Sequence, residues 1–296
     1  MRRLEGRTAI VTGAGSGIGL GLARTFARHG MAVALCDIRG DRLEAALAEV
    51  RGLGTAGAIA VVTDVSDRAS VRNAADQAVA AFGALHVACN NAGVVIQGRS
   101  VAEHTVEEWD WVIGVNLRGV IHGIEVFLPA IRAHGQEGHI VNTASIGGFQ
   151  VRGERRTGAY SATKYAVVAL SESLAADLEH SPIGVSVLAP AAVNTRIYAA
   201  GESRPDRFGG PYAEPGNNRL QAELERDGLD PDVVGDRVVR AIRERELYVF
   251  THPHTREWLR ARHQRVDDAF ADCERWLAER SAGAGAAATA APPRST

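Results

Sequence analysis

The chain has 296 residues, 46% hydrophobic and 23% charged, with a formal charge of −2. It is long enough to bury one large core, and its charge gives no reason to expect nucleic acid or an anionic membrane as partner. Cys36, Cys89 and Cys273 show no CxxC or His-rich spacing, which predicts no disulfide framework and no metal site and fits reduced thiols in a cytoplasmic protein.

The first residues carry two arginines but no apolar h-region, so no signal peptide is expected. No apolar run reaches the roughly 18 residues of a membrane span. From there the chain alternates short apolar runs with longer helical patterns. Strands are expected at 8–12, 31–37, 58–64, 85–90, 139–145 and 183–190. Helices are expected between them, at 41–50, about 67–82, about 105–134 and about 158–180. Strands that are apolar throughout rather than alternating are covered on both faces, and strict strand–helix–strand repetition means right-handed crossovers in a parallel sheet. The fold class is therefore α/β: a doubly wound parallel sheet of about seven strands.

Residues 196–230 break this rhythm with Gly201, Pro205, Gly209, Gly210, Pro211, Pro215 and Gly216, and read as a long irregular lid. A helix at 232–244, a short strand at 247–250 and a helical pattern at about 254–280 follow. The expected organisation is one domain at 1–251, a helical extension at 252–280 and a low-complexity, disordered tail at 281–296. His252 and His254 lack a carboxylate or Cys cluster and read as a turn, not a metal pair. The apolar side of the last helix needs a partner, which points to a subunit interface.

Gly13, Gly17 and Gly19 lie in TGAGSGIG, directly after the first strand and opening the first helix. Glycine there permits a tight turn, lets backbone approach a pyrophosphate, and leaves a helix N-terminus facing it. Eighteen residues after Gly19, Asp37 ends the second strand. Its carboxylate can accept from ribose hydroxyls and would repel a 2′-phosphate, which favours NAD. Arg39 keeps NADP open as the alternative, and Ser16 adds no basic group.

Tyr160 and Lys164 stand at i and i+4, on one face of a helix. Of the 33 basic residues, 32 are Arg and Lys164 is the single Lys. A neighbouring ammonium stabilises a phenolate and lowers the pKa of a group that otherwise titrates near about 10. Ser145, ending the fifth strand, lies at the carboxyl edge where ligands sit in such sheets. Asn116 is a polar residue inside the long helical region.

Together with Asp64-Val65, NNAG at 90–93, YSATK at 160–164 and PAAVNT at 190–195, these residues resemble the short-chain dehydrogenases/reductases over roughly 4–250. The resemblance implies Tyr160 as general acid/base, Lys164 holding the nicotinamide ribose and lowering the tyrosine pKa, Ser145 positioning the substrate carbonyl, and Asn116 supporting a relay water. It implies cofactor contacts at Gly13, Ser16, Gly17, Ile18, Gly19, Asp37, Asp64, Val65, Asn91, Ala92, Gly93, Pro190, Val193 and Thr195, besides Tyr160 and Lys164. It also implies a small-molecule alcohol or carbonyl substrate and a homo-oligomer, a tetramer or dimer.

Phe149, Gln150, Tyr198 and Tyr212 are placed by their loops as substrate-pocket residues. Ala191 stands where the family usually has Gly, and the 15-position gap from Ser145 to Tyr160 carries Arg152, Glu154, Arg155 and Arg156. The expected function is hydride transfer between NAD(H) and a secondary alcohol or ketone. The alternatives are an NADP(H) ketoreductase and a non-catalytic NAD-binding sensor or scaffold.

Overall fold

The computed structural model describes residues 1–213 and 217–289. It divides into two units, Met1–His252 and Pro253–Thr296.

The first unit holds the strands β1 (Thr8–Thr12), β2 (Ala32–Asp37), β3 (Gly57–Val62), β4 (Val87–Asn90), β5 (Gly138–Thr143), β6 (Ile183–Ala189) and β7 (Tyr248–Phe250). They form one parallel sheet in the order β3-β2-β1-β4-β5-β6-β7. The order reverses between β1 and β4, which opens a crevice at their carboxyl ends. Its helices are α1 (Gly17–Arg28), α2 (Gly40–Arg51), α3 (Arg68–Phe82), α4 (Val106–Ile113), α5 (Gly119–Arg132), α6 (Gly158–Asp177), α7 (Asn217–Asp227) and α8 (Pro231–Glu244). The expected doubly wound α/β fold is the observed one.

Alternate strand residues feed two cores, as the two-residue side-chain period requires. Ala9, Val11, Val33 and Leu35 join Leu22 and Phe26 of α1, Leu43 and Val50 of α2 and Val234, Val238 and Ile242 of α8 on one face. Ile10, Ala34 and Cys36 join Val71 and Ala75 of α3, Phe127 and Ile131 of α5 and Leu174 of α6 on the other. The helices α1 and α8 cross almost backbone to backbone. A Cβ on Gly21 would lie 2.5 Å from the Pro231 carbonyl oxygen, and one on Gly235 2.3 Å from Thr25 Oγ1.

The long helical region is continuous but not uniform: a π-helical turn, Gly114–Arg118, joins α4 to α5. The resulting run, Val106–Arg132, is long and apolar enough to cross a membrane by length and composition, contrary to the expectation that no segment would be. Its apolar window is 56% buried, and Trp111, Val112, Val120, Phe127 and Ile131 are spent inside the fold. The apolarity is that of a core helix.

Two further expectations are corrected. The described part of 196–230 is not irregular: it folds into short 3₁₀ segments at Ile197–Ser203 and Asp206–Phe208 and the helix α7. The Gly and Pro residues that suggested a loop instead delimit these pieces, with Gly209 at φ +104 closing one of them. Residues 214–216 of the expected lid lie outside the described residues. In the second unit, α9 (Arg256–Thr289) continues as helix well into the expected disordered tail; its alanine-rich sequence favours helix. Residues 290–296 lie outside the described residues.

Candidate active site

The crevice is built on one side from backbone. Gly13 (φ +69) and Gly17 (φ +52) take left-handed conformations that favour glycine. A Cβ on Gly13 would lie 2.9 Å from Ala92 Cα, one on Gly17 2.9 Å from Thr195 Cγ2, and one on Gly19 2.1 Å from the Gly13 carbonyl oxygen. The turn thus brings the loops after β1, β4 and β6 into contact. Ser16 caps α1 in extended conformation without a side-chain hydrogen bond, so the first N–H groups of α1 are left for a ligand. Ile18, the second residue of α1, packs its side chain against the core.

Asp37 organises this side. Its carboxylate accepts from Gly15 N–H and from Arg39 N–H, both at 3.0 Å. The Arg39 side chain turns away to Asp41, at 2.8 and 2.6 Å. Asp64 accepts from Ser66 N–H and Oγ, at 2.9 and 2.6 Å, and from Arg207. Burial works to raise its pKa, but the bonds from Arg207 and Ser66 outweigh that and hold it below the ordinary value. Val65 is buried and closely approached by α5, where a Cβ on Gly119 would lie 2.8 Å from Val65 Cγ2.

Thr12 ties the two sides together. Its Oγ1 accepts from Asn91 N–H and Ala92 N–H, at 2.9 and 3.1 Å, and donates to the Cys89 carbonyl at 3.2 Å. Asn91 Nδ2 donates to the Thr12 carbonyl at 3.0 Å, while its Oδ1 accepts from Thr143 Oγ1 at 3.3 Å. Gly93 lies between the two sides: a Cβ there would be 3.5 Å from both Lys164 Nζ and Asn116 Oδ1.

The other side is built from side chains. Ser145 follows β5; its Oγ accepts from Gly147 N–H at 3.1 Å and donates to the Pro190 carbonyl at 3.4 Å. Tyr160 and Lys164 share a face of α6 as their spacing predicts, with Lys164 Nζ 5.6 Å from the Tyr160 ring centroid. Lys164 is 2% exposed and donates to the Thr143 carbonyl at 2.7 Å. Burial pushes its ammonium down to about 7. The Tyr160 phenol is raised, not lowered: burial dominates, and the Ser145 hydrogen bond only partly opposes it. Lys164 is not among the causes of the Tyr160 shift, and its own burial favours the neutral amine over the ammonium that would stabilise a phenolate.

Asn116 sits in the π-helical turn, a distortion often found at functional sites. Its Oδ1 accepts from Val94 N–H at 2.8 Å, and its Nδ2 donates to the Val94 carbonyl at 2.9 Å and to Thr163 Oγ1 at 3.2 Å. The side chain clamps the loop after β4 to α6 one residue before Lys164. Both amide hydrogens are spent in that clamp.

After β6, Val193 is buried and bridges to Leu229, and His252 holds the preceding loop by accepting from Ala191 N–H at 3.3 Å and bonding the Ala192 carbonyl at 2.9 Å. Among the described residues no cluster could hold a metal ion. The arginines before Tyr160 are paired: Arg152 with Glu154, Arg155 with Glu223 and Arg156 with Glu103.

The four expected substrate residues do not form one group. Tyr212 stacks edge-on against Trp111 at 6.1 Å, in a cluster that reaches Ala159 beside Tyr160. Phe149 packs instead on Phe250 and Tyr248, at 5.2 and 6.0 Å. Gln150 buries its Oε1 without a hydrogen-bond partner, and Tyr198 is half-buried in the first 3₁₀ segment.

Residues the sequence did not single out frame the cluster. Trp111 is 1% exposed, Phe208 packs there, and Arg204 lies 5.5 Å from both the Trp111 and Tyr212 rings. The neighbouring segment is held down by Arg207 on Asp64 and Ser66 and by Glu202 on Arg42. An aromatic five residues before Asn116 was the available signal for Trp111; the arginines carried none, being common in this chain.

The profile of the family described as short chain dehydrogenase matches residues 7–205. The chain belongs to the short-chain dehydrogenase family. A C alpha-dehydrogenase of Sphingobium sp. (strain NBRC 103272 / SYK-6) is 35% identical over 278 residues, 93% of this chain and 90% of that protein. A 1-deoxy-11-beta-hydroxypentalenate dehydrogenase of Streptomyces avermitilis is 35% identical over 276 residues, 93% of each chain. A crystal structure of a short chain dehydrogenase/reductase from Burkholderia phymatum in complex with NAD superposes with a TM-score of 0.85 at 36% identity, covering 90% of this chain and 96% of that one. This short-chain dehydrogenase is an oxidoreductase acting on CH–OH groups.

Proposed function

We propose that the chain interconverts a secondary alcohol and its ketone with NAD(H), using Tyr160 as the proton-transfer group. The observation that carries this reading is the meeting, at the switch point of the sheet, of an open helix N-terminus with the half-buried Tyr160 and the buried Lys164 and Ser145. The glycine cradle fits a dinucleotide: its Cβ-free surface and free N–H groups suit a pyrophosphate.

NAD is preferred over NADP because Asp37 presents a carboxylate where a 2′-phosphate would go, while Arg39 is occupied by Asp41. The NAD complex of the Burkholderia phymatum protein supports the same choice. When bound, the nicotinamide supplies the hydride acceptor or donor. Ser145 Oγ orients the substrate oxygen and Tyr160 Oη takes or returns its proton. Lys164 holds the ribose hydroxyls, and Gly13, Ser16, Gly17, Gly19, Asn91, Ala92, Gly93, Pro190 and Thr195 line the cofactor. Asn116 acts as a positioning residue through Val94 and Thr163. The segment from Ile197 to Tyr212 covers the substrate.

The test is Tyr160→Phe. Turnover of secondary alcohols with NAD should fall by roughly 10²–10⁴-fold, the usual worth of a general acid–base, with NADH affinity within a factor of about two. Unchanged turnover would remove the tyrosine from the mechanism. Detectable NADH binding with no turnover of any alcohol by the unsubstituted protein would favour a sensor. Higher kcat/KM with NADPH would overturn the cofactor assignment.

A further inference from the structure

The helix α9 carries a regularly spaced seam along one face. Leu259, His263, Val266, Phe270, Cys273 and Leu277 follow one another at spacings of 4, 3, 4, 3 and 4 residues. This is the a/d repeat of a coiled coil, and it keeps all six side chains on one face. Val266, Phe270 and Leu277 are 41%, 68% and 52% exposed, and Cys273 is exposed as well.

The charges on the same helix are segregated. Residues 256–266 hold four arginines and one glutamate, a net of +3, whereas 267–280 hold five carboxylates and two arginines, a net of −3. That is opposite to what the helix dipole favours, since cations belong near a helix C-terminus and anions near its N-terminus. The arrangement therefore needs a reason outside the isolated helix.

We infer that α9 pairs antiparallel with α9 of a second copy of this chain, centred on Asp268. The seam reads the same in both directions about that residue. A reversed copy sets Leu259 against the second copy's Leu277, His263 against its Cys273 and Val266 against its Phe270, so every layer joins an a position to a d position. The same reversal lays the +3 half of each helix on the −3 half of the other. On one flank Arg260 faces Glu274 of the second copy. On the other Arg262 faces Trp276, where a guanidinium over an indole is favourable. A parallel pair would put +3 on +3 and −3 on −3. The two-fold arrangement is closed, so it makes a dimer contact rather than a filament.

The test uses the full chain with Cys273→Ala, leaving only the buried Cys36 and Cys89. A nitroxide is placed at Ala271→Cys in one sample and at Ala278→Cys in another, and distances between copies are read by dipolar electron spin resonance. With 1.5 Å of rise per residue, the two labels at 278 should lie about 20 Å farther apart along the axis than those at 271. Glu274→Arg should reduce the paired fraction at least about fivefold, and adding Arg260→Glu should restore it. Equal distances at the two positions would mean parallel pairing and overturn the inference. So would the absence of any dipolar signal between copies at about 100 μM protein, which would leave the seam to another occupant. A paired fraction indifferent to Glu274→Arg would equally count against the register.

Discussion

The two banks of the crevice are made in opposite ways. The bank after β1 is built by leaving atoms out: Gly13, Gly17 and Gly19 sit where a Cβ would strike Ala92, Thr195 or the Gly13 carbonyl. The bank after β5 is built by burying polar side chains: Lys164 and Asn116 are at 2% and 0% exposure, Lys164 fixed by a hydrogen bond to the end of β5 and Asn116 by hydrogen bonds to the loop after β4. The first bank has little freedom to relax if volume is added. The second carries an electrostatic penalty, visible in the lowered Lys164 pKa, that the packing and hydrogen bonds of the rest of the fold must offset.

The largest expected effect is on the glycine bank. Gly19→Ala puts a methyl 2.1 Å from a backbone oxygen that cannot rotate away. Loss of at least ~3 kcal/mol of stability is expected, at or above the upper range for overpacking, together with loss of dinucleotide binding. Urea denaturation and fluorescence titration with NADH measure the two. A variant within ~1 kcal/mol of the parent would show that this turn can relax and would dissolve the contrast between the banks.

Lys164→Met tests the other bank. Its activity should be lost, but the informative readout is stability against pH without cofactor. The Lys164 ammonium titrates at about 7 in the folded chain, against an ordinary value of 10.5. Between those values the unfolded chain binds a proton that the folded chain refuses. Stability from this group is therefore lowest below pH 7 and recovers as pH rises toward 10.5, by up to ~1.4 kcal/mol per pH unit. The buried thiols Cys36 and Cys89 act oppositely above about pH 9, since burial raises both. They cancel when the two proteins are compared. The difference in unfolding free energy between parent and Lys164→Met should rise steadily from pH 7 to 9; a flat difference would mean that the lysine is not desolvated.

Asp37 is the exception on the glycine bank, a side chain doing what the glycines cannot. Asp37→Ser removes the acceptor held by Gly15 and Arg39 N–H groups. A charged hydrogen bond to a ribose hydroxyl contributes ~1.5–3 kcal/mol, so kcat/KM with NAD should fall about tenfold or more, with a smaller loss or a gain for NADP. Parallel losses with both cofactors would assign Asp37 to shaping the loop alone.

These contrasts also explain what could be read from the sequence. The glycine bank was legible because missing side chains are visible as glycines at fixed spacing after an apolar strand. Tyr160 and Lys164 were legible because a four-residue spacing on a helix is a contact, and a single lysine among 32 arginines stands out. The π-helical turn under Asn116 was not legible, since a one-residue widening leaves the apolar period almost unchanged. Nor was the burial that reverses the expected Tyr160 shift, which depends on how α6 packs on the loop after β5: a Cβ on Gly148 would lie 2.6 Å from the Lys164 carbonyl oxygen. The Ile197–Phe208 segment was misjudged because proline and glycine announce interruptions, and short 3₁₀ segments fit between them.

That segment gives the smallest effect and the most direct link between the banks. Arg207 reaches from it to Asp64 and Ser66, after β3, while Phe208 beside it packs in the cluster of Trp111 and Ala159, next to Tyr160. The Arg207 side chain is 51% exposed, so the ion pair is screened and its loss should cost less than ~1 kcal/mol globally. Arg207→Ala should leave the melting temperature within a degree or two of the parent. Locally the effect is larger, because the segment's opening is governed by few contacts rather than by the whole core. Limited proteolysis should cleave within 197–213 several-fold faster in the variant, and 0.5 M salt should bring the parent toward the variant's rate. If cleavage there is unchanged, the segment is held by its other contacts, the cluster of Trp111, Arg204 and Tyr212 and the Arg42–Glu202 pair, and the Arg207–Asp64 pair does not link the two banks.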